Sequence, residues 1–540
     1  MATDQRPDYS AFYGNFDVAE LFSLLSRPID DGINLCVECC DRHAKEGRVA
    51  VNWLAADDEQ GSITFEELKS RSARFANLLT RHGVQPGDRI SGLLPRIPEL
   101  LTVILGAMRA GAVYQPLFTA FGPKAIEHRL EVSKARVVVT DSANRPKLEG
   151  ITNGLVIVTV GGSAEGDVDF HESLELESDQ FTPVLREASD PFLMMFTSGT
   201  TGPAKAVPVP NSAIFSFAAY MKYGIGLRET DRYWNIADTG WAYGLYYAIF
   251  GPLFLGNTTA LVDGAFDVER TCRVIKDLDI NNLAGAPTAY RMMIAAGDSV
   301  PQAIRGRLRV ASSAGEPLNP EVVRWFDEQL ECPLHDHYGQ TEVAMVLMNH
   351  HGLSHDVTPG SAGRPMPGYV LEVVDDEGKP LPPGIAGILA VDRRRSKLFY
   401  FPGYLGREGQ DWVGDYYITG DSVEKNQDGS FSFVGRSDDL ISSAGYRIGP
   451  FDVESCLIEH PSVLESGVVG KPDAERGHIV KAFVVLNQGF AASDELSEAL
   501  RLHVRERLGG HAYPREIAFV GALPKTPSGK IQRFMLRESG

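Results

Sequence analysis

At 540 residues the chain exceeds what one hydrophobic core usually organises, so several domains or subdomains are expected. Its 43% apolar and 23% charged residues are those of a globular protein, which excludes disordered and fibrous classes. The balance of 71 acidic against 52 basic residues, a net charge of −19, works against nonspecific attraction to nucleic acid or anionic lipid, so a phosphate ligand would have to be met by a local arrangement.

The opening stretch MATDQRPDYSAFYGNF lacks the basic and apolar segments of a secretory signal, which predicts a cytoplasmic protein. Cys36, Cys39, Cys40 and His43 form the first cluster of ligand-type residues, but a closed zinc site wants a second pair at recognisable spacing and none follows. Positions 35, 36, 39, 40 and 43 suit one helix face, so buried cysteines are expected, and six scattered cysteines fit a reducing compartment. Residues 64–83 carry a full helix grammar: Thr64 and Glu67 as capping box, Leu68, Phe75 and Leu79 along one face, Gly83 as the stop.

Short apolar runs (RISGLL, ARVVVT, GLVIVTV, RLRVAS) then alternate with helical patterns such as PELLTVILGAMRAG and NPEVVRWFDEQL, which predicts an α/β fold of mainly parallel sheets covered by helices. The uncharged stretch 239–262, TGWAYGLYYAIFGPLFLGNTTALV, is long enough to raise the question of a membrane span, but four glycines, Pro252 and Asn257 break it, and a buried helix followed by a buried strand is expected. From about 365–370 onward, strands joined by Asp-Gly and Pro-Gly turns predict a smaller β-rich subdomain. The last hundred residues read as a separate small α+β unit, with strands at SGVVG and IVKAFVVL and a helix carrying Leu496, Leu500, Val504 and Leu508.

One loop carries chemistry. FTSGTTGPAK, 196–205, holds Thr197, Ser198, Thr200 and Thr201, the glycines Gly199 and Gly202, and the single charge of Lys205. Glycines let backbone N–H groups approach an anion, and hydroxyls with an ammonium complete a phosphate cradle. The alternative is a polar surface loop. The preceding PFLMMF reads as a buried strand, so the loop emerges at a strand end, where open α/β sheets bind ligands. It is not a Walker loop, since Lys205 is followed by Ala206, Pro208 and Pro210, which disfavour a helix.

Further segments follow in order: SSAGEPLN (312–319), DHYGQTE (336–342), YITGD (417–421), GRSDDLISSAGYRIGP (435–450) and PKTPSGKIQR (524–533). With FTSGTTGPAK ahead of them, this set closely resembles the adenylate-forming superfamily of acyl-CoA synthetases, aryl-CoA ligases, luciferases and peptide-synthetase adenylation domains. GYRIGPFDVESCLIEHPSV and VKAFVVL look most like medium-chain acyl-CoA synthetases. The resemblance implies an N-terminal domain over 1–436 and a mobile C-terminal domain over 437–540, with ATP, Mg²⁺ and coenzyme A as reactants or cofactor.

By the same resemblance, 197–205 would grip the β- and γ-phosphates, although the family's proline just before the lysine is here displaced to Pro203. Tyr338 would stack on adenine against Gly315, Glu316 and Pro317; Thr341 would hydrogen-bond the α-phosphate; Glu342 would hold Mg²⁺; and Asp421 with Arg436 would take the ribose side. Lys530 would reach the α-phosphate and carboxylate oxygens during adenylation, Asp438 would be the hinge, and Gly445 would lie by the incoming pantetheine. Without the resemblance, Tyr338 passes for a core aromatic, GQTE for a capping turn, Arg436 for one half of a strand-end salt bridge, and Lys530 for part of a solvated turn.

The chemistry stands on its own. A carboxylate is a poor acyl donor, and its attack on an α-phosphorus brings anion against anion, so cations and oriented donors are needed where charge accumulates. Acetate-using relatives place a tryptophan at the position of Gly339, so Gly339 is expected to leave room in an acyl pocket shaped by Trp241, Tyr243 and Tyr246 with Gly285 to Thr288, for a medium-chain, branched or aromatic acid. The expected activity is an ATP-dependent acyl-CoA synthetase acting on small-molecule carboxylic acids. Its alternatives are a ligase loading a carrier protein and a noncatalytic nucleotide or acyl-ligand sensor. PxxxxGK around Lys530 also resembles a signal for a lysine acyltransferase or deacylase partner.

Overall fold

The computed structural model describes residues 6–151, 154–162, 164–197, 204–358, 360–407, 412–436, 439, 441–443, 446–473, 476–510, 512–525 and 531–539. Two helix-covered sheets make up the larger part. The first runs, in spatial order, Val168–Asp169, Val156–Val160, Ala135–Asp141, Arg89–Leu93, Val113–Pro116, Pro191–Phe196 and Ala206–Pro210. Every neighbour pair in it is parallel except the last, a hairpin whose connection is the 197–205 loop. The second sheet has nine strands, with a parallel centre from Val49–Leu54 through Thr259–Val262, Tyr233–Asn235, Asn282–Gly285 and Val310–Ala314 to Leu334–Gln340, and antiparallel edges.

The local grammar is realised where it is strongest. Helix Phe65–Arg81 opens on the capping box: Thr64 Oγ1 accepts the Glu67 N–H at 3.1 Å and Glu67 Oε2 accepts the Thr64 N–H at 2.7 Å. Helix Pro98–Arg109 is buried on every residue from Leu100 to Arg109, as a helix covered on all sides must be. Gly106 lets it approach its neighbour, since a Cβ there would lie 2.8 Å from the Phe75 ring and 3.0 Å from the Ser72 carbonyl.

The 239–262 stretch forms short helical segments over 242–255 and then the buried strand Thr259–Val262, with Gly256 at φ +74° closing the helix. Among the described residues no helix is long and apolar enough to cross a membrane. Cys36, Cys39 and Cys40 are fully buried and free, Cys272, Cys332 and Cys456 are buried and free, and the described residues contain no metal-binding cluster of His, Cys, Asp and Glu.

The β-rich part is an antiparallel sheet of Leu371–Val374, Ala386–Asp392, Tyr416–Lys425, Trp412–Val413 and Phe431–Arg436. Beyond it, the hairpin Val463–Asp473 with Gly477–Leu486 is covered by helices Pro450–Ile458 and Asp494–Leu508 around a core that includes Val453, Leu457, Val468, Val480, Leu500 and Val504. Ser493 caps the second helix by accepting the Leu496 N–H at 3.1 Å. This last unit touches the rest through Asn319 Nδ2, which donates to Ser455 Oγ at 2.9 Å, and through Phe451, whose ring centroid is 6.3 Å from that of Phe433.

Candidate active site

Strands Val310–Ala314 and Leu334–Gln340 are parallel neighbours, with Ala314 opposite His337, and both end on the same edge of the sheet. Open α/β sheets bind ligands at such carboxyl ends. The first strand delivers Gly315, Glu316 and Pro317. Gly315 stands at φ +97° with open space where a Cβ would be, so only glycine sits here unstrained while leaving that side clear. Glu316 turns into an ion pair with Arg291 at 2.9 Å and accepts the Thr288 hydroxyl at 3.0 Å, which anchors the turn.

The second strand delivers Tyr338, Gln340, Thr341 and Glu342. Period-two alternation puts Asp336, Tyr338 and Gln340 on one face and His335, His337 and Gly339 on the other. The chain then reverses tightly: the Val343 N–H reaches the Gln340 carbonyl at 3.2 Å, and Ala344 takes φ +61°, a left-handed conformation rare for a residue with a Cβ. That turn is braced from below. Tyr246 and Tyr400 both donate their hydroxyls to the Thr341 carbonyl, at 3.2 and 2.9 Å, and Tyr246 stacks on Phe217 with ring centroids 4.2 Å apart.

On the ribose side predicted from the sequence, Asp421 follows Gly420, which sits at φ +74° inside the strand Tyr416–Lys425, and is paired across the sheet with Arg436. Its carboxylate is 6% exposed and gathers donors: the Tyr338 hydroxyl at 2.5 Å and Gln340 Nε2 at 2.7 Å on Oδ2, with Arg436 Nη1 3.8 Å from Oδ1. Burial, then the Asp421 charge, push the Tyr338 phenol well above its usual range, so it stays protonated and donates. Gln340 is fixed in turn, donating also to the Thr419 carbonyl at 2.9 Å and accepting the Tyr417 hydroxyl at 3.0 Å.

Glu342 is equally buried, at 6% exposure, and accepts the Tyr404 hydroxyl on Oε1 at 2.7 Å. Burial raises its pKa above the usual carboxylate range, against the Tyr404 hydrogen bond and the positive charge of Lys205, which favour the ionised form. Lys205 Nζ lies 4.4 Å from the Tyr404 ring centroid, and the Thr197 N–H closes the mouth of the 197–205 loop on the Lys205 carbonyl at 3.0 Å. A buried oxygen donor of this kind suits a hard cation such as Mg²⁺.

Of the residues singled out in the sequence, Gly315, Glu316 and Pro317 follow strand Val310–Ala314, Tyr338 lies on strand Leu334–Gln340 with Thr341 and Glu342 just after it, Asp421 and Arg436 lie on paired strands of the antiparallel sheet, and Thr197 and Lys205 flank the loop before Ala206–Pro210; Tyr338 joins Asp421, and Tyr404 joins Lys205 to Glu342. Ser198, Gly199, Thr200, Thr201, Gly202, Asp438, Gly445 and Lys530 lie outside the described residues. Sequence reasoning missed Gln340, Tyr404, Tyr400, Tyr417 and Arg291. Gln340 sits inside the DHYGQTE motif, and its place on the Tyr338 face was the available signal.

The acyl-pocket expectation needs correcting at Gly339. A register shift between Tyr338 and Gly339 turns its missing Cβ onto the next strand, 2.1 Å from the Ala344 carbonyl oxygen and 2.7 Å from Met345 Cα. The glycine is required by strand packing, and the space it frees is filled by backbone. Tyr246 is likewise a support for the Thr341 turn. Trp241 is half-buried within an aromatic triangle, its ring 5.5 Å from Phe118 and 5.7 Å from Phe121, and its indole N–H is buried with no hydrogen-bond partner among the described residues.

Comparison with known proteins agrees with this geometry. An AMP-binding enzyme family profile matches residues 40–405, and the profile of the AMP-binding enzyme C-terminal domain matches 452–530. The chain is 39% identical to acetyl-coenzyme A synthetase of Bacillus subtilis (strain 168), over 98% of this chain and 94% of that protein. It is 35% identical to the human mitochondrial acyl-coenzyme A synthetase ACSM4, over 96% of this chain and 92% of that one. Among solved structures it superposes on an acyl-CoA synthetase of Brucella canis with a TM-score of 0.81 at 54% identity, covering 99% of both chains. It also superposes on the anthranilate CoA ligase AuaEII in complex with anthranoyl-AMP, with a TM-score of 0.87 at 27% identity, covering 97% of this chain and 99% of that one.

Proposed function

We propose, from the premise that this chain belongs to the AMP-binding enzymes and among them to the acyl-CoA synthetases, how its site carries the reaction. In the first half-reaction a carboxylate oxygen attacks the α-phosphorus of ATP, forming acyl-AMP and releasing pyrophosphate. In the second, the thiol of coenzyme A attacks the acyl carbonyl, the C–S bond forms, AMP leaves and the thiol proton goes to solvent. The observation that carries this reading is the meeting of Asp421, Tyr338 and Gln340 beside Glu342, where the end of strand Leu334–Gln340 faces strand Tyr416–Lys425 of the antiparallel sheet: a carboxylate set for sugar hydroxyls next to one set for a cation.

Each role follows from chemistry. Asp421 accepts the ribose hydroxyls, with Arg436 giving a second contact to the nucleotide, and Tyr338 stacks on adenine against Gly315, Glu316 and Pro317. Thr341 donates to the α-phosphate, and the 197–205 loop with Lys205 holds the departing phosphates. Glu342 would hold Mg²⁺, which when bound neutralises phosphate oxygens and eases attack by an anion.

Lys530 bridges the two reacting anions during adenylation and then leaves. The unit from 437 onward turns about Asp438 and brings Gly445 beside the pantetheine. The acid is medium-chain, branched or aromatic and lies toward Trp241, Phe118 and Phe121. Six buried free cysteines suit a reducing, cytoplasmic setting. A lysine acyltransferase or deacylase acting on Lys530 would switch off the first half-reaction alone.

The test is pyrophosphate release with acids of graded length, branching and aromaticity, together with AMP release upon adding coenzyme A. Pyrophosphate release without CoA-dependent AMP would favour a carrier-loading ligase, and no pyrophosphate with any acid would favour a sensor. Lys530→Ala should slow adenylation on the order of a hundredfold, while thioester formation from supplied acyl-AMP changes far less. Equal loss in both halves would defeat the two-position reading.

A further inference from the structure

We propose that Tyr404 is a positioning residue for the ATP–Mg²⁺ complex, joining Lys205 to Glu342 through the two ends of one side chain; the assignment rests on the adenylation reading above. Tyr404 comes from FYFPGYLG, a segment outside the motifs singled out in the sequence. It is 9% exposed. Its ring face lies 4.4 Å from Lys205 Nζ, and its hydroxyl donates to Glu342 Oε1 at 2.7 Å.

Both contacts are held from behind. The Leu405 N–H donates to the Ala206 carbonyl at 3.0 Å, which fastens the residue after Tyr404 to the residue after Lys205. Phe401 packs edge-on against the Tyr404 ring at 5.1 Å and against Tyr417 at 5.4 Å, and Tyr417 donates to Gln340 on the ribose side. Tyr404 thus sits on a strut running from the 197–205 loop to the nucleotide strands.

Physically the two ends do different work. A hydroxyl that holds Oε1 stops free rotation of the Glu342 carboxyl group and so fixes the direction of its other oxygen, which matters to a cation with strict octahedral demands. A ring face attracts an ammonium without itself taking up N–H donors as a carboxylate would, which favours holding Lys205 near the phosphates. In the sequence Lys205 stands two residues after Pro203, and the Tyr404 ring reaches it from another part of the chain.

Two full-length variants separate the ends. Tyr404→Phe keeps the ring and loses the hydroxyl; Tyr404→Leu loses both. Calorimetric binding of a nonhydrolysable ATP analogue is measured across Mg²⁺ concentrations, with AMP binding without metal as the reference. For Tyr404→Phe the Mg²⁺ concentration at half-maximal analogue binding should rise about five- to tenfold, with AMP affinity kept within about twofold. Tyr404→Leu should add about a fivefold loss of analogue affinity that saturating Mg²⁺ does not restore, AMP again being spared.

A Tyr404→Phe curve that superimposes on the wild type would overturn the assignment, as would a loss in either variant that extends equally to AMP. If Tyr404→Leu does not fold, the Tyr404→Phe curve decides alone. Wild-type protein that binds neither nucleotide would defeat the adenylation reading itself, and this inference with it.

Discussion

Asp421 and Glu342 are the same kind of group, buried to the same extent at neighbouring edges of the same site, yet they are surrounded differently. Asp421 has a phenol and a carboxamide on one oxygen and a guanidinium near the other. Glu342 receives a single phenol on Oε1 and is lifted in pKa by burial, with the charge of Lys205 as the opposing influence. A carboxylate with neutral donors already in place can exchange them for sugar hydroxyls at little electrostatic cost. A carboxylate that burial makes uncomfortable gains most when a cation arrives. The difference separates a nucleoside-recognising half from a phosphate-and-metal half, and it can be broken experimentally.

The largest effect is expected at Glu342. Glu342→Gln keeps the shape and the bond from Tyr404 but removes the charge, so adenylate formation should fall by about 10² to 10³, with AMP binding changed by no more than about threefold. Single-turnover pyrophosphate release and AMP titration measure the two quantities. If AMP binding fell in step, the division between the halves would be wrong.

Asp421→Asn is the converse and should be smaller. It removes a charged acceptor from the Tyr338 and Gln340 donors and from the ribose, and charge-assisted hydrogen bonds contribute about 1.5–3 kcal/mol each. AMP and ATP should therefore both weaken by roughly ten- to a hundredfold, with the Mg²⁺ dependence of what remains unchanged. A shifted Mg²⁺ requirement in this variant would show that the two carboxylates act as one unit.

How much of this was legible depended on distance along the chain. The Thr64–Glu67 capping box and the strand before the 197–205 loop are local, and local spacing settles them. The identities of Tyr338, Glu342 and Asp421 came from ordered motifs. What those residues do to one another did not: Tyr338 meets Asp421 across 83 positions and Tyr404 meets Glu342 across 62, through packing of separate sheets and loops that no short segment encodes. Gly339 was misread for the same reason. Its neighbour in space is Ala344 across a bulged strand pair, and a bulge leaves no periodic mark in the sequence.

The smallest effect tests what lies behind the two halves. The phosphate half rests on Tyr246, Tyr400 and Tyr404, and burial pushes the first two phenols well above their usual range. The nucleoside half rests on the strand whose other face carries a layer of buried and half-buried histidines. His335 stacks on His351 at 3.8 Å and 3°, and the Asn349 carbonyl accepts from both His335 Nδ1 and His337 Nε2, leaving His337 Nδ1 to accept from Tyr220. Burial, with smaller contributions from neighbouring histidines and from Arg6 and Arg309, pushes His335 and His337 down to about 3 and holds His350 and His351 well below 6.5.

These groups are neutral when folded and take up protons when unfolded, so their contribution is complete above pH 6.5 and is lost as the pH falls below it. Between pH 7.5 and 5.5 each costs about 1.4 kcal/mol, about 5 kcal/mol for the four. Asp336 on the same strand runs the other way: burial raises it to about 8, so acidification over that range returns roughly 2.5 kcal/mol. Among these five groups the histidines win, with a balance of about 3 kcal/mol lost, which should contribute to a falling denaturation midpoint from pH 7.5 to 5.5. Asp336→Asn removes the opposing group and should steepen that fall. A midpoint independent of pH in both proteins would mean that the layer is already open to water, and with it the footing of the nucleoside half.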